Sequence, residues 1–582
     1  MPDRFAYPLP FGAALLGGGG TCFRLWAPSV ESVGLELDGN EPMPMHAEPG
    51  GWHALTHEAP PGTQYRFRLP DGLAVPDPAS RLQAPDVHDP SVVVDPGSYA
   101  WQYPGWQGRP WHEAVVYELH AGVLGGFSGV RQRLPELAAL GVTAIEIMPV
   151  ADFPGGRNWG YDGVLPYAPD TSYGTPNELK ALVDEAHGLG LMVLLDVVYN
   201  HFGPDGAYLH AYAKPFFRED IKTPWGAAID FRRPEVRDYF QHNALYWLME
   251  YRFDGLRFDA VHAISEEGFL TEMAAAIRAT VEPGRHVHLV LEHEGNRAAL
   301  LRTGPDAPGF DAQWADDLHH CLHTLLTGES EGYYEDFQDT GALLARALEG
   351  GFAYQGQVSP HHGAPRGEPS GHLPTTAFVV CLQNHDQTGN RAMGDRLTTL
   401  ADPAALRAAT AFLLLCPFIP MLFMGEEWAS TSPFLFFTSH NEELAKLVRA
   451  GRRAEFKHFS AFQDEAKRAR IPDPNAPATF DASVPAHTDP AAFAFMWSLL
   501  ALRREHIVPG LPGCQSTGAA VLGPGAVRGA WRLGTGQILT IALNLGLQAV
   551  EAPAMPAAPI YASPGVSGAT LAASSVAVWI AS

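Results

Sequence analysis

The sequence predicts an α/β fold: a (β/α)8 TIM barrel set between an N-terminal and a C-terminal β-sandwich domain. Three observations predict it. From Trp111 onward, short apolar runs alternate with helical stretches, which marks α/β architecture. Several of these runs, residues 192–196 above all, are apolar almost throughout, as strands covered on both faces are. At both ends of the chain the runs are instead short, largely alternating and separated by Gly, Pro, Asn and Asp.

Taken in order, residues 22–28, 33–37 and 65–69 are the clearest strands of a β-sandwich spanning 1–100. Pro85, Pro90 and Pro96 break the next stretch, so 84–110 is either a linker or a packed connecting loop. The barrel is expected over 111–508. Its eight strands are read at 115–120, 142–149, 192–196, 254–259, 288–292, 310–314, 377–382 and 418–424. Helices at 131–140 and 176–189 are each followed by a glycine, Gly141 and Gly190, which suits a helix end. A helix over 492–506 closes the barrel. Residues 509–582 return to short alternating runs, such as 538–543 and 576–580, and form the second sandwich, read as a buttress.

The 582 residues carry a net charge of -25, which argues against a nucleic-acid partner and an anionic membrane surface. The start of the chain lacks a basic and apolar leader. The longest apolar run, 411–424, is interrupted by Pro417 and Pro420 and is too short to cross a membrane. The cysteines 22, 321, 381, 416 and 514 are scattered without metal spacing and fit buried thiols in a reducing cytoplasm. A soluble cytoplasmic enzyme with a neutral substrate is the expectation.

The most informative stretch runs from Gly255 to His262. Arg257 and Asp259 are two residues apart, so both point to one face of a strand. At the carboxyl end of a barrel strand that face looks into the active site. A neighbouring guanidinium favours the charged carboxylate, although a structural ion pair accounts for the pattern equally well. Polar residues gather at other strand ends too. Asp196, Asn200 and His201 follow the third, His262 the fourth, Glu292 and Glu294 the fifth, and Asn384, His385 and Asp386 the seventh. Paired carboxylates are what glycosidic bond cleavage requires. Trp159, Tyr161, Trp225 and Trp314 lie near the same loops and suit the apolar faces of sugars.

These four segments resemble, in order, the four signature regions of the α-amylase family of glycoside hydrolases. The resemblance covers 111 to about 506. The N-terminal β-domain is similar to that of branching and debranching relatives. Segments 196–209, 230–237, 433–438 and 451–456 resemble the subfamily that acts on trehalose-ended glucans. This implies a retaining hydrolase that cuts the α-1,4 bond beside the terminal trehalose of malto-oligosyltrehalose and releases trehalose. It makes Asp259 the nucleophile, Glu292 the general acid/base and Asp386 the third carboxylate. Arg257 supports Asp259, His201 and His385 bond the sugar, Asp196 organises the rim and Tyr161 stacks on the ring.

His262, Trp225 and Trp314 are substrate contacts or ordinary packing; Trp225, Trp314, Asp316 and His319 are the candidates for trehalose recognition. Glu294 shares the strand parity of Glu292, but Glu292 lies nearer the barrel mouth. The insertion after the third strand ends by about Asp230 and leaves little room for a calcium-binding domain, so no metal and no cofactor are expected. Segment 121–126 departs from the family pattern after the first strand. A branching enzyme is the nearest rival reading, and a catalytically silent glucan-binding protein is the rival from another class.

Overall fold

Eight parallel strands close a barrel in the computed structural model, which describes residues 5–553 and 558–581 apart from 303, 305, 306 and 308. They are β1 (Val116–Leu119), β2 (Ala144–Ile147), β3 (Met192–Val197), β4 (Gly255–Phe258), β5 (His288–Leu291), β6 (Ala312–Trp314), β7 (Phe378–Cys381) and β8 (Ile419–Phe423). Pairing of β1 with β8 completes the ring. Each strand overlaps one of the eight predicted runs, and every residue in them is buried. The cause is double coverage: one parity faces the surrounding helices and the other fills the barrel.

Val116, Ala144, Met192, Val290, Ala312, Val379 and Ile419 form a separate apolar plug in the barrel interior. Two residues further along their strands the inward chemistry changes. Val116 is followed at that spacing by Glu118, Ala144 by Glu146, and Val290 by Glu292. The site therefore sits on an apolar floor at the carboxyl ends of the strands.

The helix Gly126–Leu140 ends at Gly141 with φ 109°, a left-handed conformation that glycine adopts without strain. The helix Pro176–Gly188 begins with a reciprocal Thr175–Glu178 capping box. The expected closing helix is Pro490–Leu502, continued by a wider π turn over Arg503–Ile507. There the buried Arg503 donates to the carbonyls of Leu414, Cys416 and Phe418 at 2.9, 2.6 and 2.5 Å. One side chain thus ties the closing helix to the loop that enters β8.

Two sheets form the N-terminal domain, with Phe23, Leu25, Leu35, Tyr65 and Phe67 buried in its core. The stretch 84–110 is a packed connection. Asp184 accepts from the Tyr99 hydroxyl and from the Gln102 and Tyr103 amides at 2.9, 2.7 and 2.9 Å. Trp106 donates its indole N–H to Asp254 at 2.8 Å. The C-terminal domain has a five-stranded and a three-stranded sheet, with Ala542, Leu571, Ala577 and Trp579 buried together. Its Trp531 packs edge-on against Phe418 at the foot of the barrel, with ring centroids 6.2 Å apart. Among the described residues no helix is long and apolar enough to cross a membrane.

Replacing Arg503 with Met tests the helix tie. It would leave three buried carbonyls without their donor, and an unsatisfied buried acceptor costs about 1–3 kcal/mol. The expected result is a clearly lowered melting temperature with the wild-type circular-dichroism spectrum retained below it.

Candidate active site

β4 ends with Arg257 and Phe258, and Asp259 follows. Arg257 is fully buried and points into the barrel. One terminal nitrogen, Nη1, donates to Asp196 Oδ2 at 2.7 Å and to Asp259 Oδ1 at 2.9 Å. The other, Nη2, donates to Glu292 Oε2 at 2.8 Å. One guanidinium thus draws together acids from the ends of β3, β4 and β5. Ala260 adds a second restraint. It adopts φ 41°, unusual for a residue with a Cβ, and its N–H donates to the same Glu292 oxygen at 2.9 Å.

Three carboxylates around one cation cannot all ionise without cost. Burial, and then the charge of Glu292, push Asp259 well above the usual carboxylate range against the pull of Arg257. Burial raises Asp196 as well, again against Arg257. Burial thus opposes the pull of Arg257 at both acids, and Arg257 alone does not set their charge.

Asp386 opens to the cleft with its side chain 36% exposed. His385, directly before it, is buried between other rings. Tyr161 stacks on it with centroids 5.0 Å apart, and Trp159 meets it edge-on at 5.6 Å. Burial opposes the charge of Asp386, but the adjacent His385 outweighs it and holds the carboxyl below its ordinary range. The Tyr161 hydroxyl also donates to Asp196 at 2.6 Å, which locks the loop after β2 to the arginine centre.

His201 has one ring nitrogen 2.9 Å from the Tyr161 carbonyl. Burial lowers its pKa to about 4, so the ring is neutral at neutral pH. Trp225, at the tip of the hairpin Phe217–Thr223/Gly226–Ile229, stacks on His201 at 4.3 Å and is 46% exposed. His262 lies on the rim 3.7 Å from Glu294. Glu294 is turned outward and also pairs with His362 at 3.1 Å, whereas Glu292 is held by Arg257. The geometry thus separates the two glutamates that strand parity left equivalent.

One expected sugar contact needs correction. Trp314 is only 3% exposed and lies in the barrel plug, with the Arg257 guanidinium 4.0 Å above its ring. Its face supports the arginine and is not open to a sugar. Asp196 is likewise buried, and its contacts are Arg257 and Tyr161. The trehalose candidate His319 also points away, bonded to the Leu382 carbonyl at 2.6 Å. Asp316, by contrast, faces the site: burial and the charges of Glu292 and Asp386 push it up to about 7. Glu118 had drawn no attention in the sequence, yet it grips His385 from β1. No local pattern announces that contact between distant residues.

A closed parallel barrel with acids from β4, β5 and the segment after β7 at its carboxyl end is the catalytic unit of an α-amylase-type glycoside hydrolase. The family described as alpha amylase, catalytic domain, matches residues 98–220. Carbohydrate-binding module 48 (isoamylase N-terminal domain) matches 10–82, and a domain of unknown function (DUF3459) matches 514–578. The chain is 42% identical to the malto-oligosyltrehalose trehalohydrolase of Deinococcus radiodurans, over 82% of this chain and 77% of that protein. It is 38% identical to the enzyme of the same name from Saccharolobus solfataricus, over 84% and 86%. The chain belongs to the malto-oligosyltrehalose trehalohydrolase family. A Salmonella typhimurium crystal structure described as an alpha amylase superposes with a TM-score of 0.94 at 45% identity, covering 99% of this chain and 100% of that one. The branching enzyme GlgB of Corynebacterium jeikeium is more distant, 34% identical over 71% of this chain and 61% of its own.

Asp316 gives a pH test. Its unfolded carboxyl titrates near 4, its folded one near 7. Between those values the folded protein holds the extra proton, so stability falls as pH rises. Asp316→Asn should melt above wild type at pH 8, with the advantage shrinking toward pH 4. Melting curves at the two pH values check the sign.

Proposed function

We propose that this protein hydrolyses the α-1,4 bond next to the terminal trehalose of malto-oligosyltrehalose and releases trehalose. The observation that carries the reading is the Arg257 bridge, which binds one oxygen of Asp259 and one of Glu292 at the barrel mouth. Retaining enzymes hold such carboxyls roughly 5–5.5 Å apart, so that one attacks directly. Two acids on the two terminal nitrogens of one guanidinium suit that arrangement.

In the first step Asp259 attacks the anomeric carbon. Glu292 delivers its proton to the bridging oxygen, and trehalose leaves as a neutral alcohol. In the second step the Glu292 carboxylate takes a proton from water, and the resulting hydroxide displaces Asp259. The glucan is freed and both carboxyls regain their starting states. Asp386 would hold sugar hydroxyls and His385 would donate beside it. His201 and Tyr161 would line the same subsite, and His262 the rim beyond. Trp225 offers an exposed ring face on the leaving-group side, which suits the terminal trehalose.

The partners are then malto-oligosyltrehalose and trehalose. The net charge of -25 disfavours nucleic acid. A cytoplasmic location fits free cysteines, four of them buried.

Product analysis tests the reading. Maltotriosyl-trehalose should yield trehalose and maltotriose far faster than maltopentaose is cut, whereas branched products would make the protein a transferase. Asp259→Asn and Glu292→Gln should each lower kcat by at least about 10³-fold with the melting temperature nearly kept. Trp225→Ala should lower kcat/KM more for maltotriosyl-trehalose than for maltopentaose. Equal losses on both substrates would remove Trp225 from trehalose recognition.

A further inference from the structure

His385 has a carboxylate at each ring nitrogen. Nδ1 lies 2.5 Å from Glu118 Oε1, and Nε2 lies 3.4 Å from Asp386 Oδ1. The second Glu118 oxygen accepts from the His385 backbone N–H at 2.9 Å. Glu118 and His385 are each only 1% exposed at the side chain. Tyr161 and Trp159 pack against the ring, and Trp314 lies 5.9 Å away. The ring therefore cannot turn, and its Nε2 edge meets the cleft beside Asp386.

An ionised carboxylate only accepts hydrogen bonds. A neutral imidazole carries one N–H and could satisfy only one of its two neighbours. The partner at one nitrogen determines what the other can do.

We propose that Glu118 is a positioning residue that keeps His385 doubly protonated, so that its Nε2 carries a proton on the cleft side, beside Asp386 and the sugar at the cleavage point. The proposal rests on the reading of His385 and Asp386 as sugar-binding groups and deepens it. Glu118 itself touches no substrate. The other titratable groups facing His385 are Glu146 from β2, Asp196 from β3, Tyr161, and His120 at the end of β1. The charge of Arg257 also acts on Asp386. The acids and Tyr161 favour the charged ring or leave it unchanged. His120 carries little charge, because burial lowers its pKa to about 4. Burial works against the His385 charge, but Asp386 and Glu118 outweigh it and raise the ring well above its usual value.

Glu118→Gln keeps the shape but removes the negative charge, and it turns an amide N–H toward either Nδ1 or the backbone N–H. The measurement is kcat/KM against pH, with maltotriosyl-trehalose and maltopentaose as parallel substrates. In the variant the alkaline limb should move down by at least about one pH unit. The loss should reach roughly 10–100-fold at pH 8 and become small at pH 5.5, where the ring protonates unaided. Glu118→Asp, which restores the charge at shorter reach, should bring the limb back toward wild type. A loss independent of pH, or an unchanged profile, would overturn the proposal.

A second readout needs no variant of Glu118. In wild type labelled at the histidine ring nitrogens, with His385 assigned by His385→Gln, both nitrogens should show protonated chemical shifts at pH 7.5. An unprotonated nitrogen there would overturn the proposal even if the Glu118 variants fail to fold. Failure of the functional reading looks different: wild type would then release no trehalose, while the nitrogen spectrum and any pH shift on maltopentaose would still report on Glu118.

Discussion

The site depends on one buried cation. Arg257 is removed from solvent, and an arginine in that position is tolerable only if its charge is answered by acids with good geometry. Asp196, Asp259 and Glu292 provide the answer on one side, and the ring of Trp314 supplies a face on the other. The guanidinium is a flat fork whose donors have fixed directions, so each acid that binds it is oriented as well as neutralised. Residues up to 61 positions from Arg257 in the chain are thereby placed within one hydrogen bond of it. The closed barrel makes this possible, because its strands deliver their carboxyl ends to one rim.

The same centre explains the electrostatics. A single positive charge faces three carboxylates, and burial works against the charge of Asp259 and of Asp196 there. The rim has a second cation in His385, held by Glu118 below and facing Asp386 above. Asp386 is held below the ordinary range by that cation against the opposition of burial, while burial and then the charge of Glu292 push Asp259 up. Carboxyl groups within one cleft are thus driven apart in proton affinity by their surroundings, which lets them take different roles.

Much of this was legible in the sequence, for physical reasons. A strand buried on both faces is largely apolar, so the eight barrel strands could be placed from the sequence even where one of them carries Glu118, Glu146, Arg257 or Gln313. A helix ending in the left-handed conformation favours glycine, which marked Gly141. Acids directly after an apolar run sit at the strand end, and that pointed to Asp259 and Glu292. What was missed depends on distance or on backbone shape. The contact between Glu118 and His385 spans 267 positions, and nothing in either segment points to the other. The positive φ of Ala260 has no signature in an alanine. Trp314 lies near the polar loops in the sequence; its shared parity with Ala312 in the plug is the available sign that it faces the barrel interior. His319 shows the limit of residue type: a histidine near a cleft can still spend its ring on a backbone carbonyl.

The most direct test of this account is the activity of Arg257→Lys on maltotriosyl-trehalose. Lysine keeps the charge but loses the flat fork, so it cannot orient Asp196, Asp259 and Glu292 together. The account predicts a fall in kcat/KM on the order of 10³-fold in a protein that still folds. A variant within about tenfold of wild type would show that charge alone suffices, and would contradict the claim that the guanidinium geometry organises the site.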